Sequence, residues 1–143
     1  MNWEELSITS HYQTAVAVKQ ELLEGNIEEG ITGIEELIEA LGRSEKRALR
    51  SQLIRLMVHI IKLKIQSQYR SRSWLVTISN ARIEITYLLE DEPTLKPKIH
   101  ELWENCFETA KHLVKDETGI EPTITELSWE EVFEEEGCLP SIP

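Results

Sequence analysis

The chain has 143 residues, enough for one domain with its own core, and its 41% hydrophobic and 29% charged residues are ordinary for a globular protein. Glycine (six residues) and proline (five residues) are both scarce, which favours helices over a turn-rich all-β fold. We find no apolar run of about 18 residues and no leader-like N-terminal segment, so we expect a cytoplasmic protein without a membrane span.

Glycines divide the first part of the chain into two predicted helices. Gly25 ends a helix over residues 9–24, and Gly42 ends a second one over 27–41, which Asn26 caps. Gly33, inside the second helix, costs about 1 kcal/mol relative to alanine. The apolar residues of this helix recur at helical spacing and form one apolar face: Ile27, Ile31, Ile34, Leu37, Ile38 and Leu41.

The third predicted helix begins at Ser44 and covers residues 44–66. Leucine, isoleucine, valine and methionine occupy most of its circumference, which is typical of a central helix that several others contact. Its polar residues share one narrow stripe: Gln52, Arg55, His59, Lys62 and Gln66.

The fourth predicted helix covers residues 73–90, with Ser71 or Ser73 as its cap. Arg82 falls on its main apolar face, where a guanidinium needs a partner, and we favour an ion pair with Glu35 or Glu39 over a ligand contact. The far side of the helix carries a second apolar strip, which indicates contact with another helix or a second subunit: Val76, Ile83 and Tyr87.

A fifth helix is predicted over residues 94–117, with Gly119 after its end, and a capping box of Ser128 and Glu131 begins a short helix over 128–135. Cys106 falls on the buried face of the fifth helix, so we expect a reduced thiol there, and its distance from Cys138 does not suit a metal site. The chain is thus predicted to be a single all-α domain, 1–143. We expect an antiparallel bundle of four to five helices with the short C-terminal helix docked on it.

The net charge of −11 is unevenly distributed. Residues 42–72 carry nine lysines and arginines against one acid, whereas 1–41 carry one base against nine acids and 73–143 carry five bases against sixteen acids. We favour neutralisation of the basic segment within the fold over a strip that binds a polyanion, because the acidic surroundings would repel nucleic acid.

Motifs that carry chemistry are scarce. No histidine has a glutamate three residues before it, and paired-cysteine spacing and glycine-rich phosphate loops are missing, so we predict no metal and no cofactor. Arg55 and His59, one helical turn apart, are the only catalytic candidates, and we favour a solvated polar stripe instead. The candidate anion contacts are Arg70, Arg72 and Ser73, in the corner "QYRSRSW" before the fourth helix, and Arg82.

Four segments together resemble a bacterial family known as domain of unknown function 29. They are "LIEALGRSEKRALRSQLIRLMVHIIKLKIQ" (37–66), "RSRSW" (70–74), "TISNARIEITYLLEDEPTL" (77–95) and "AKHLVKDETGI" (110–120). The shared features are the Leu-Gly-Arg-Ser-Glu turn, a histidine in the long apolar helix, and arginines before Ser-Trp. The resemblance implies an all-α domain and supplies no activity, substrate or cofactor.

These observations favour a non-catalytic module or adaptor that binds a protein partner or a second copy of itself as a homodimer. The alternative is an RNA-binding protein or helical RNase that uses the basic segment 43–72.

Overall fold

A computed structural model describes residues 1–69 and 71–134 of the chain. The fold is all-α, as predicted, and every element in the described part is a helix or a helical turn. The five α-helices are α1 (Trp3–Thr9), α2 (His11–Leu23), α3 (Ile27–Ile65), α4 (Arg72–Asp91) and α5 (Lys98–Thr118). Short 3₁₀ turns cover Ser67–Tyr69 and Pro93–Leu95, and a π-helical turn covers Glu130–Glu134.

The chain divides into two compact units, Met1–Arg47 and Ala48–Pro143. The first contains α1, α2 and the beginning of α3, and the second contains the rest of α3, α4, α5 and the π-helical turn. The prediction of a single domain over 1–143 stays a prediction.

The helix predicted over residues 9–24 is present as α2, and α1 precedes it as a helix that the sequence did not predict. α1 begins after Asn2, whose side chain accepts a hydrogen bond from the backbone N–H of Glu5 at 3.1 Å. α2 begins after Ser10, whose hydroxyl accepts from the N–H of Gln13 at 3.0 Å. Ser10 has extended backbone angles, so it ends α1 and caps α2 in a single residue.

The predicted break at Gly42 and Ser44 is wrong, because α3 continues through both residues for 39 residues in all. Gly25 and Gly119 have positive φ angles and stand just beyond helix ends, whereas Gly42 does not have one. A glycine inside a helix costs only about 1 kcal/mol. A break here would leave several backbone groups without helical partners, which costs more.

The apolar face predicted for residues 27–41 is mostly exposed. In the first unit, α3 buries the small residues Gly30, Gly33 and Ala40 instead. A Cβ at Gly33 would lie 2.7 Å from the ring of Trp3, and one at Gly30 would lie 2.6 Å from Leu22. The two glycines therefore let large side chains of α1 and α2 rest directly on the α3 backbone.

The core of the second unit comes from the C-terminal half of α3 together with α4, α5 and the chain that follows α5. Its largest fully buried side chains include Leu53, Leu56, Ile78, Ile99 and Phe107. This half of α3 is buried over most of its circumference, as its composition predicted.

The C-terminal turn docks on the second unit through polar and apolar contacts. The predicted capping box is present: Ser128 N–H donates to the Glu131 carboxylate at 2.9 Å, and Glu131 N–H donates to the Ser128 hydroxyl at 3.1 Å. Val132 is fully buried, and the Trp103 indole donates to the Leu127 carbonyl at 3.2 Å. The end of the predicted helix 128–135 and Cys138 lie outside the described residues.

Candidate functional site

The polar stripe of α3 contains the two catalytic candidates. Arg55 is exposed, and Nδ1 of His59 lies 2.9 Å from the Arg55 carbonyl oxygen, so the histidine is bonded to its own helix. Burial lowers the pKa of His59 below 6.5, and the hydrogen bond to Arg55 opposes this effect. His59 is therefore mostly neutral at pH 7. A catalytic role for Arg55 and His59 stays a prediction.

Lys62, one turn further along the stripe, has two contacts that fix its ammonium group. Its ammonium group donates to the Glu117 carboxylate of α5 at 2.8 Å and lies 4.7 Å from the centre of the Trp74 ring. Lys64 in the same helix pairs with Glu131 of the C-terminal turn. These two lysines of the basic segment are thus neutralised by acidic residues from 73–143, and neutralisation of the whole segment stays a prediction.

The corner before α4 is organised by its serines. Ser71 is the cap, and its hydroxyl accepts a hydrogen bond from Trp74 N–H at 3.3 Å. The hydroxyl of Ser73 lies 3.0 Å from that of Ser71. Arg72 is exposed at the beginning of α4, and Arg70 lies outside the described residues. Anion binding by Arg72 and Ser73 stays a prediction.

Arg82 is 4% exposed, as its place on the apolar face indicated. Its Nε donates to the Val132 carbonyl at 2.8 Å, and its Nη2 donates to the Glu131 carbonyl at 3.3 Å. Arg82 thus connects α4 to the backbone of the C-terminal turn. The sequence indicated a carboxylate partner or a ligand contact, and these backbone acceptors were not predicted.

Arg82 also borders a cavity of about 220 Å³ in the second unit. Trp129 and Phe133 line the same cavity, and their rings are 4.5 Å apart between centroids. Anion binding by Arg82 stays a prediction.

The strip predicted on the far side of α4 is accessible for most of its length. Val76 is 49% exposed and Tyr87 is 56% exposed, while Ile83 is half-buried. A role of these residues in binding a partner stays a prediction.

The structure brings out a larger apolar surface on the face that the sequence predicted for residues 27–41. Five side chains on α3, which we call the isoleucine stripe, are between 40% and 62% exposed: Ile27, Ile31, Ile34, Ile38 and Leu41. Their spacing of 4, 3, 4 and 3 is the heptad pattern of helices that pair along one seam. The signal that distinguishes this stripe from a core face is the second row of small residues, Gly30, Gly33 and Ala40, which packs on α1 and α2.

Metal-binding clusters and membrane spans are not found among the described residues. No group of three or more histidine, cysteine, aspartate or glutamate side chains there could hold a metal ion. None of the helices described has both the length and the apolar character needed to cross a membrane. Cys106 is buried as predicted, and burial raises the pKa of its thiol to about 11.

Comparisons with known proteins settle the family. Neither the curated proteins nor the solved structures contain a match to this chain. A family model described as domain of unknown function DUF29 matches residues 10–137. This match confirms the resemblance seen in the sequence motifs, and the chain belongs to the DUF29 family.

Proposed function

We propose that this protein is a non-catalytic helical interaction module that pairs with a second copy of itself through the isoleucine stripe of α3. The observation that carries the proposal is the exposure of five large aliphatic side chains in one heptad row. Contiguous apolar surface of this kind is typical of interaction sites.

The spacing of the stripe limits the shape of its partner. Side chains at a strict 4–3 repeat fit between those of another helix with the same repeat, and α3 of a second copy supplies that helix. The stripe extends over 15 residues, or about 22 Å of helix, which is about four turns of contact for each copy.

Charge on the flanks of the stripe is compatible with self-pairing. Glu28 and Glu35 lie on one flank, and the other flank carries the uncharged Leu37 and Leu22, which covers Gly30. In a parallel pair of helices, one flank of each helix faces the opposite flank of its partner. The carboxylates of one copy then face uncharged residues, and like charges are kept apart.

Self-association is tested by sedimentation equilibrium over a range of concentrations, with wild type compared with an Ile31→Lys, Ile38→Lys double variant. Half-exposed isoleucines each offer about 1 kcal/mol on burial, and the lysines add repulsion, so we expect a dissociation constant weakened about a hundredfold or more. Helix content by circular dichroism should not change, because both side chains are exposed.

A Val76→Lys, Tyr87→Lys variant is the matched control, since it places the same charges on the exposed strip of α4. Dissociation of this variant alone would move the interface to α4 and overturn the assignment to α3. A wild-type chain that stays monomeric at several hundred micromolar would overturn self-pairing.

A further inference from the structure

A cavity of about 240 Å³ lies within the first unit, away from the isoleucine stripe. Its floor contains two small buried residues, Ser7 of α1 and Ala40 of α3. Because their side chains are short, space remains above them, and Ile8 forms part of the wall. The volume is below the roughly 300–1,000 Å³ of pockets for drug-sized ligands, so the cavity suits a small molecule.

Three basic side chains border this cavity. Arg43 and Arg47 are one turn apart on α3, so they lie on the same face of the helix as Ala40. His11 reaches the cavity from the first turn of α2. Ser44 adds a hydroxyl between the two arginines. None of the seven bordering residues is acidic.

The two arginines remain available to a ligand. Within residues 1–69 and 71–134, Arg47 has no carboxylate within 4 Å. Arg43 has one, Glu39, at 3.8 Å, and both side chains are more than half exposed. An exposed ion pair at that distance contributes little stabilisation, so a ligand with greater charge can replace it.

We propose that this cavity is a binding site for a small phosphate monoester or for inorganic phosphate. Arginine presents several N–H donors in a fixed plane that matches phosphate oxygens. Donors reach the cavity from two helices, and a tetrahedral anion has oxygen atoms pointing toward both. A carboxylate, which is planar, satisfies fewer of these donors.

The charge of the first unit sets a limit on the ligand. Residues 1–47 contain ten glutamates against four lysines and arginines, a net charge of −6. A long polyanion would pass over this acidic surface, whereas a small phosphate occupies only the basic cavity. The site is therefore selective for small phosphates over nucleic acid.

Binding is tested by titrating ¹⁵N-labelled full chain with inorganic phosphate and with glycerol phosphate at constant ionic strength. We expect saturable shifts of the amide signals of His11 and Ser44, and a dissociation constant about tenfold weaker in Arg47→Gln. Arg43→Gln is a second variant with the same expectation. Lys19→Gln, which removes an exposed cation of the same unit that does not border the cavity, should leave the constant unchanged.

Two results would overturn the assignment. Shifts that rise linearly without saturation, or a dissociation constant that weakens equally in Lys19→Gln, would show general charge screening. A short single-stranded RNA that binds more tightly per phosphate than glycerol phosphate would make the cavity part of a nucleic-acid surface. Neither result depends on self-association, because the titration is repeated with the Ile31→Lys, Ile38→Lys variant.

Discussion

Gly33 and Gly42 lie in the same helix, α3, but only one of them has a neighbour that an added methyl group would meet. At Gly33 a Cβ would lie 2.7 Å and 2.8 Å from two Trp3 ring carbons and 2.8 Å from a methyl carbon of Val18. At Gly42 nothing lies within 4 Å of that position. Alanine substitution at the two sites therefore separates packing from helix propensity.

The magnitude follows from two opposing effects. Replacing a helical glycine by alanine stabilises a helix by about 0.5–1 kcal/mol, and this gain applies at both positions. Overpacking costs about 1–3 kcal/mol and applies at Gly33 only, since Trp3 is 4% exposed and has little room to move. We expect Gly42→Ala to be more stable than wild type, and Gly33→Ala to be about 1–3 kcal/mol less stable than Gly42→Ala.

Urea unfolding provides the measurement, with circular dichroism for total helix content. Tryptophan fluorescence adds a local signal: with Trp74, Trp103 and Trp129 replaced by phenylalanine in every protein compared, Trp3 reports on the first unit alone. If Gly33→Ala stabilised the chain as much as Gly42→Ala, Trp3 would not rest on the α3 backbone. Close packing of large side chains on the two glycines would then be refuted as the basis of the first unit.

Two further predictions concern titratable groups of the second unit. In a Cys138→Ser variant, Cys106 should react with iodoacetamide at pH 8 about 90 times more slowly than a thiol with a pKa of 9.0. The reason is that a pKa of about 11 leaves a correspondingly smaller fraction of thiolate. A rate equal to that of a free thiol would contradict the burial of Cys106. The Lys64 side chain holds the pKa of Glu131 below 4.5, so the stabilisation from this pair is present above pH 4.5 and is lost as the pH falls through the lowered value. Thermal unfolding between pH 3 and 7 should show a weaker acid dependence in Glu131→Gln, and an unchanged dependence would mean that the pair contributes nothing.

The second unit was predicted well because its hydrophobic pattern and its capping residues indicate the same helices. Leucines and isoleucines recur on the faces that α3, α4 and α5 bury, Ser71 caps α4, and Ser128 with Glu131 forms the capping box. Arg82 was correctly placed on a buried face. Its acceptors could not be predicted, because every residue has a backbone carbonyl and the sequence does not show which of them lie near Arg82.

The first unit was predicted poorly because its most apolar row is not the one that packs inside. Hydrophobic periodicity identifies an apolar face but does not say whether its neighbour belongs to the same chain. The sequence indicated Gly33 only as a weakness of the helix, whereas Gly30 and Gly33 are the surface on which Leu22 and Trp3 lie. The cavity bordered by Arg43 and Arg47 depends on the meeting of α1, α2 and α3, which spacing along the sequence does not reveal.

The two carbonyl groups that accept hydrogen bonds from Arg82 also affect when the second unit can fold during synthesis. Val132 follows Arg82 by 50 residues. At a translation rate of about 5–20 residues per second, Arg82 is synthesised about 3–10 s before these acceptors. During that interval these two hydrogen bonds are missing, which opposes burial of the α4 face that carries Arg82. We therefore expect the second unit to close late on the ribosome, after the C-terminal turn has emerged.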